Sequence, residues 1–163
     1  MKKLKFSGFT ALELMIVIAI IAILAALAVP SFRTALDKQR ISRAAEAVLA
    51  DLRWARAEAI KRNRPVRVTF ITGSTWSYTL HADPAGSNTL LKTVSGSEFA
   101  STTLSTANFA GDVAHTTFDP TRGIALNDGT VMLTSSDFSA GVTVSPLGRV
   151  HICGSMGGYE ACP

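Results

Sequence analysis

The sequence predicts an α+β fold, one long N-terminal helix packed on an antiparallel β-sheet domain. Three observations predict it. From Phe9 to Val29 the chain is almost wholly apolar, with Glu13 its one charged residue. From there to Ile60, apolar residues recur mostly at three- and four-residue steps. After Pro65 the texture changes to short runs rich in β-branched and aromatic residues, with turn formers between them.

The first element is read from "MKKLKFSGFTALELMIVIAIIAILAALAVP". Lys2, Lys3 and Lys5 precede the oily run. A secretory signal would have this basic start and a small-residue cleavage site at Ala26-Leu27-Ala28, but its apolar stretch is shorter and carries no acid at its entrance. A plain membrane anchor fits better, since residues 9–29 span about 31 Å as a helix, the thickness of a hydrocarbon core. The leading lysines would then stay in the cytoplasm and the bulk of the chain outside. Neither reading accounts for Glu13. A carboxylate in a bilayer costs roughly 2.5–3.5 kcal/mol on insertion scales and calls for a partner. Cleavage between Gly8 and Phe9 would supply one, an α-amino group four residues before Glu13 and within reach along a helix or between staggered helices.

The stretch "KFSGFTALELMIVIAIIAILAALAVP" resembles the class III signal of type IV pilins and pseudopilins. That signal has a short basic leader ending in Gly, an aromatic first mature residue, Glu at the fifth mature position and Pro near the end of an apolar helix. Ala11 stands where the family often has Ile. The resemblance implies removal of residues 1–8 by a prepilin peptidase that also N-methylates Phe9. It further implies that Glu13 sets assembly register, and that the helix of residues 9–30 leaves the inner membrane for a filament.

Pro30 lacks an N–H and is expected to kink or loosen the helix. The stripe Phe32, Leu36, Ile41, Ala44, Ala45, Val48, Leu49, Leu52, Ala55, Ala59 and Ile60 then predicts an amphipathic continuation over residues 31–64. It stops near Asn63, because Pro65 disfavours helix at the residue before it. From Arg33 to Arg67 there are ten Lys or Arg and four Asp or Glu, a balance of +6. From Val68 to Pro163 the counts are three and seven, a balance of −4. The two halves can attract one another within a chain or between chains, so the overall pI does not argue for nucleic acid. The basic helix face reads first as solvated.

The domain of residues 65–163 begins with "PVRVTFI" and "TWSYTLH", a hairpin across "TGS", and "TLLKTV" supplies a further strand. The Ser-, Thr-, Ala- and Gly-rich stretch 95–110 reads as loop. "VAHTTFDPTRGIAL" and "NDGTVMLTSS" follow, with Asn127-Asp128-Gly129 a tight-turn signal. "GVTVSPLGRVHIC" gives two strands around a Pro-Leu-Gly turn. Cys153 and Cys162 have no zinc-ligand spacing around them, and outside the cytoplasm they are expected to form a disulfide. Closing so short a loop stabilises by roughly 2–3 kcal/mol and pins a tail.

"DLRWARAEAIKRNRPVRVTF" at the helix–strand junction, the "FDPTRG" turn and the closing "GRVHIC" with its cysteine pair resemble the GspH/FimT-like branch of minor pilins and pseudopilins. This implies the type IV pilin fold, with the C-terminal domain in the periplasm before incorporation into a pilus or pseudopilus. The partners implied are prepilin peptidase, other major and minor pilins, and the inner membrane. The function implied is that of a minor pilin priming or capping a type IV pilus, which serves twitching motility and DNA uptake. The alternatives are a minor pseudopilin of a type II secretion system, handling an exported protein, and a pilus-borne DNA receptor serving natural transformation.

Little else suggests chemistry. His81, His115 and His151 fall in separate strands, without Cys, Asp or Glu at ligand spacing, and no nucleophile-elbow motif occurs. Asp112, Asp119 and Asp128 are too scattered for a calcium loop, and the Gly154–Tyr159 stretch lies inside the cysteine loop without leading a helix. The expectation is therefore no enzyme, no cofactor and no metal. One binding idea stands. Arg149 and His151 share a strand face, and some FimT-like relatives bind DNA through a "GRxR" motif at this strand. Here the motif reads "GRVH", with a mostly neutral His in place of the second Arg. The plainer reading pairs Arg149 with a carboxylate such as Glu160.

Overall fold

The computed structural model describes residues 9–155 and 158–162. It comprises two compact units, residues 1–36 and 37–163. Helix α1 (Ala11–Arg62) begins in the first and continues into the second. The predicted leader, with Gly8, lies outside the described residues, as does part of the Gly154–Tyr159 turn.

In the first unit, the described side chains of residues 9–35 are all exposed. The apolar part of α1 is long and oily enough to cross a membrane, with mean hydropathy 3.0. Pro30 lies inside α1, so the Ala26 carbonyl has no i+4 N–H to accept from. Thr34 Oγ1 donates to the Pro30 carbonyl at 3.2 Å.

The second unit is built on the predicted stripe. Ile41, Ala44, Ala45, Val48, Leu52, Ala55 and Ala59 are fully buried, whereas Phe32 and Ile60 at its ends are exposed. α1 ends in a Schellman motif: Arg64 N–H donates to Ala59 O and Asn63 N–H to Ile60 O, with Asn63 at φ 50°. Asn at this left-handed position, followed by Pro65, explains why the helix stops where it does.

Among the described residues eight strands follow: β1 (Val66–Ile71), β2 (Ser77–Ala82), β3 (Thr89–Ser95), β4 (Thr103–Phe109), β5 (His115–Phe118), β6 (Gly129–Thr134), β7 (Ser139–Val144) and β8 (Val150–Gly154). They form two antiparallel sheets where the sequence suggested one, ordered β3-β2-β1-β5 and β4-β6-β7-β8. Both contribute to a single core with the α1 stripe, including Val68, Tyr78, Leu80, Phe109, Leu133 and Val142. Trp76, Tyr78, Phe70, Phe99 and Phe109 form a chain of aromatic contacts with centroids 5.5 to 6.3 Å apart.

Two local expectations are corrected. The stretch 95–110 is not loop throughout: after the 3-10 turn Gly96–Glu98 it supplies β4, which pairs with β6. Only Leu104 and Phe109 of β4 are buried, and a register shift between Leu104 and Thr106 breaks its alternation, which hides the strand in the sequence. Asn127-Asp128-Gly129 does not close a hairpin between neighbouring strands either. β5 pairs with β1 and β6 with β4 and β7, so the segment crosses between sheets. Asn127 Nδ2 donates to Ala110 O at 2.9 Å and Ala110 N–H to Asp128 O at 2.8 Å, fixing that crossing.

Candidate assembly and docking surfaces

The N-terminal turn of α1 gives Glu13 a second, local role. Thr10 N–H and Oγ1 both donate to Glu13 Oε2, at 3.2 and 3.3 Å, while Glu13 N–H donates to Thr10 Oγ1 at 3.2 Å. This is a capping box, in which N-cap and third residue satisfy each other's orphan donors. The Thr-x-x-Glu spacing is its readable signal. The carboxylate also lies at the positive end of the helix dipole. It is held beside residue 9, where cleavage after Gly8 would create an amine.

Three more acids on α1 are buried, and they lie on one face because Asp37, Asp51 and Glu58 are spaced by multiples of seven. Asp37 Oδ2 accepts from Ser135 Oγ at 2.7 Å and Asp137 N–H at 3.2 Å, clasping the β6–β7 turn. Asp51 accepts from Tyr78 Oη at 2.8 Å and from Lys92 Nζ at 2.7 Å, tying β2 and β3 to the helix. Burial, then the Asp51 carboxylate, pushes the Tyr78 phenol far above its ordinary range. Glu58 pairs with Arg62 and Lys61, and the Arg62 bond leads in holding its carboxyl below the usual range. Buried charge on this helix is thus partnered, as burial demands.

The arginines of α1 do more than decorate a solvated face. Arg56 Nε donates to Gly123 O at 2.8 Å and Arg53 Nη2 to Val150 O at 3.1 Å. The "FDPTRG" turn supplies that Gly123 carbonyl. Asp119 Oδ1 accepts from the N–H groups of Thr121 and Arg122, and Asp119 O from Gly123 N–H at 2.9 Å. Gly123 has φ +63°, and a Cβ there would lie 2.9 Å from Arg56 Nε and Ile60 Cδ1. Gly148, in the Pro-Leu-Gly turn, has φ +74°, and a Cβ on it would overlap the Gly123 carbonyl oxygen. Helix, aspartate turn and "PLGR" turn therefore meet at one joint that only glycine fits.

Arg149 follows that joint and is exposed, and His151 is half-buried in β8. The structure does not make the Arg149–Glu160 ion pair: among the described residues, no side chain bonds the Arg149 guanidinium. Both residues line a cleft of about 490 Å³ with Arg53, Ile152, Tyr159 and Glu160. One wall is the C-terminal tail, held by the Cys153–Cys162 disulfide and by a Gly154 N–H bond to Glu160 O at 2.8 Å. The disulfide covers Gly141, where a Cβ would sit 2.5 Å from Cys162 Sγ and 2.7 Å from Cys153 Sγ.

The three histidines are dispersed, His81 in β2, His115 in β5 and His151 in β8. Among the described residues, no three His, Cys, Asp or Glu gather as a metal site. Burial, and then the nearby Arg67 charge, lowers the His115 pKa below its ordinary value.

Two crystal forms of the type IV minor pilin FimU from Pseudomonas aeruginosa share this fold. One matches with TM-score 0.56 at 20% identity, covering 74% of this chain and 96% of that one. The other gives 0.52 at 20% identity, with 71% and 97% covered. No curated protein matches the chain in sequence. The family model for the type II transport protein GspH matches residues 44–148, the span that runs from the buried helical stripe to the glycine of the "PLGR" turn. With 105 of its 163 residues inside that match, the chain belongs to the GspH family of minor pilins and pseudopilins.

Proposed function

We propose that the chain is a minor pilin of a type IV pilus, which primes or caps filament assembly by insertion rather than catalysis. The observation that carries this reading is the apolar part of α1, exposed at every described side chain, which begins at the Thr10–Glu13 capping box. So much bare apolar helix requires lipid or other helices around it. Residues 1–8 would be the leader, cleaved after Gly8 with methylation of Phe9 by the prepilin peptidase. Residues 9–30 would pass from the inner membrane to the filament core, with Pro30 loosening the helix at their end. Glu13 would neutralise the new amine of its own or a neighbouring subunit. Residues 31–64 and 65–163 would form the periplasmic body.

The fold shared with a type IV minor pilin, over 96% of that chain, agrees with the pilus reading. A second reading, a minor pseudopilin of type II secretion, is favoured by the family model's own description. Immunogold labelling of sheared filaments tests the first. Label on pili, in few copies and mostly at filament ends, is the expected result. Label confined to the membrane fraction of a piliated strain would overturn it. Mass spectrometry of the extracted protein tests the processing step, and should find a chain beginning at N-methylated Phe9.

A further inference from the structure

The β8 edge, with the cleft beside it, is built like a receptor for another backbone. β8 is the last strand of its sheet and, among the described residues, pairs with β7 alone. Ser145 N–H bonds Arg149 O and Ser155 N–H bonds Ser139 O, so the pairs Thr143–His151 and Gly141–Cys153 in the same register also face each other across the ladder. The backbone groups of Val150, Ile152 and Gly154 therefore point away from β7. Two are already taken: Val150 O by Arg53, and Gly154 N–H by Glu160 O. Between them, the N–H and C=O of Ile152 have no partner among the described residues.

Ile152 lines the same cleft as Arg53, Arg149, Tyr159 and Glu160. Both arginines are exposed, and neither is ion-paired among the described residues. We infer that this cleft binds an extended, carboxylate-bearing peptide segment of an adjacent protein subunit, which adds to the β8 edge and places its acid on Arg53 and Arg149. Strand addition supplies affinity through main-chain bonds, and the arginine pair supplies direction. A nucleic acid fits less well. It offers no backbone N–H and C=O ladder to match the open groups of Ile152. That the neighbour is a filament subunit rests on the function proposed above, whereas binding itself is tested apart from it.

The test uses the full chain in detergent and a fluorescein-labelled peptide alternating Asp and Val, about six residues long and roughly 20 Å when extended. Fluorescence anisotropy at low salt should show saturable binding, weakened at least about tenfold when Asn replaces each Asp. Arg149→Glu should weaken it by a similar factor. Ile152→Pro should do the same by removing an outward N–H, in an edge position where proline is tolerated. Trp fluorescence verifies that each variant is folded, and Arg149→Glu, at an exposed site, keeps the test decisive if Ile152→Pro is not. Equal binding of the Asn peptide, or indifference to Arg149→Glu, would overturn the proposal. So would no peptide binding, with or without an Arg149-dependent shift of a DNA duplex; that shift would reassign the cleft to phosphate.

Discussion

Replacing Gly148 by alanine strikes the joint between α1 and its two turns. The substitution brings a Cβ into the left-handed region, φ +74°, at a cost of about 1–2 kcal/mol. The same Cβ overlaps Gly123 O, the acceptor of the 2.8 Å bond from Arg56 Nε. The Gly123 turn must move away, and a hydrogen bond to a charged group is worth about 1.5–3 kcal/mol. Together these predict a loss of about 3 kcal/mol. Both tryptophans, Trp54 and Trp76, lie in the second unit, so urea unfolding followed by their fluorescence reports on that unit alone. With a slope near 1.5 kcal/mol/M, the midpoint should fall by roughly 2 M. Gly111→Ala is the control: φ is +89° there, but nothing lies within 4 Å of its Cβ, so only the backbone cost of about 1–2 kcal/mol should appear. Equal shifts for the two variants would refute the claim that the joint depends on close approach.

Other predictions follow from the buried charges and the disulfide. Asp51→Asn should destabilise by about 2–3 kcal/mol, because it weakens the acceptor of both Tyr78 and Lys92. A double-mutant cycle with Lys92→Met should show coupling between them. Since folding raises the Tyr78 pKa above its ordinary 10.0, stability should be retained below pH 10 and fall above it, and Tyr78→Phe should flatten that fall in alkaline urea titrations. His115 has the opposite sign: its folded pKa is depressed, so stability should be full above the ordinary 6.5 and decline as the pH drops below it. His115→Gln should reduce that acid slope. Gly141→Ala should push the Cys153–Cys162 bridge off the sheet, so that a mild reductant followed by thiol alkylation labels both cysteines faster than in the parent chain.

What could be read from the sequence was local. The α1 stripe from Ile41 to Ala59 shows because helical burial repeats every three or four residues. β1 and β2 show because their burial alternates. β4 does not, since a register shift and four exposed or half-exposed residues between Leu104 and Phe109 erase the alternation. The division into two sheets depends on β1–β5 and β4–β6, pairings between strands far apart in the chain that no local pattern announces. The same holds for the surfaces. Thr10 and Glu13 stand at a legible spacing, whereas Arg56 and Gly123, 67 positions apart, meet only in the fold. The open Ile152 edge follows from strand order, which the "GRVHIC" segment alone does not encode.

A pilus subunit and a secretion-machine subunit differ in what their loss abolishes. The most direct measurement is the yield of surface pili sheared from a strain lacking the gene, with secreted enzymes assayed in the same culture. For a minor pilin, the expected result is lost pili with secretion intact. Intact pili with exported enzymes trapped in the periplasm would contradict it, and would place the chain in a type II secretion pseudopilus.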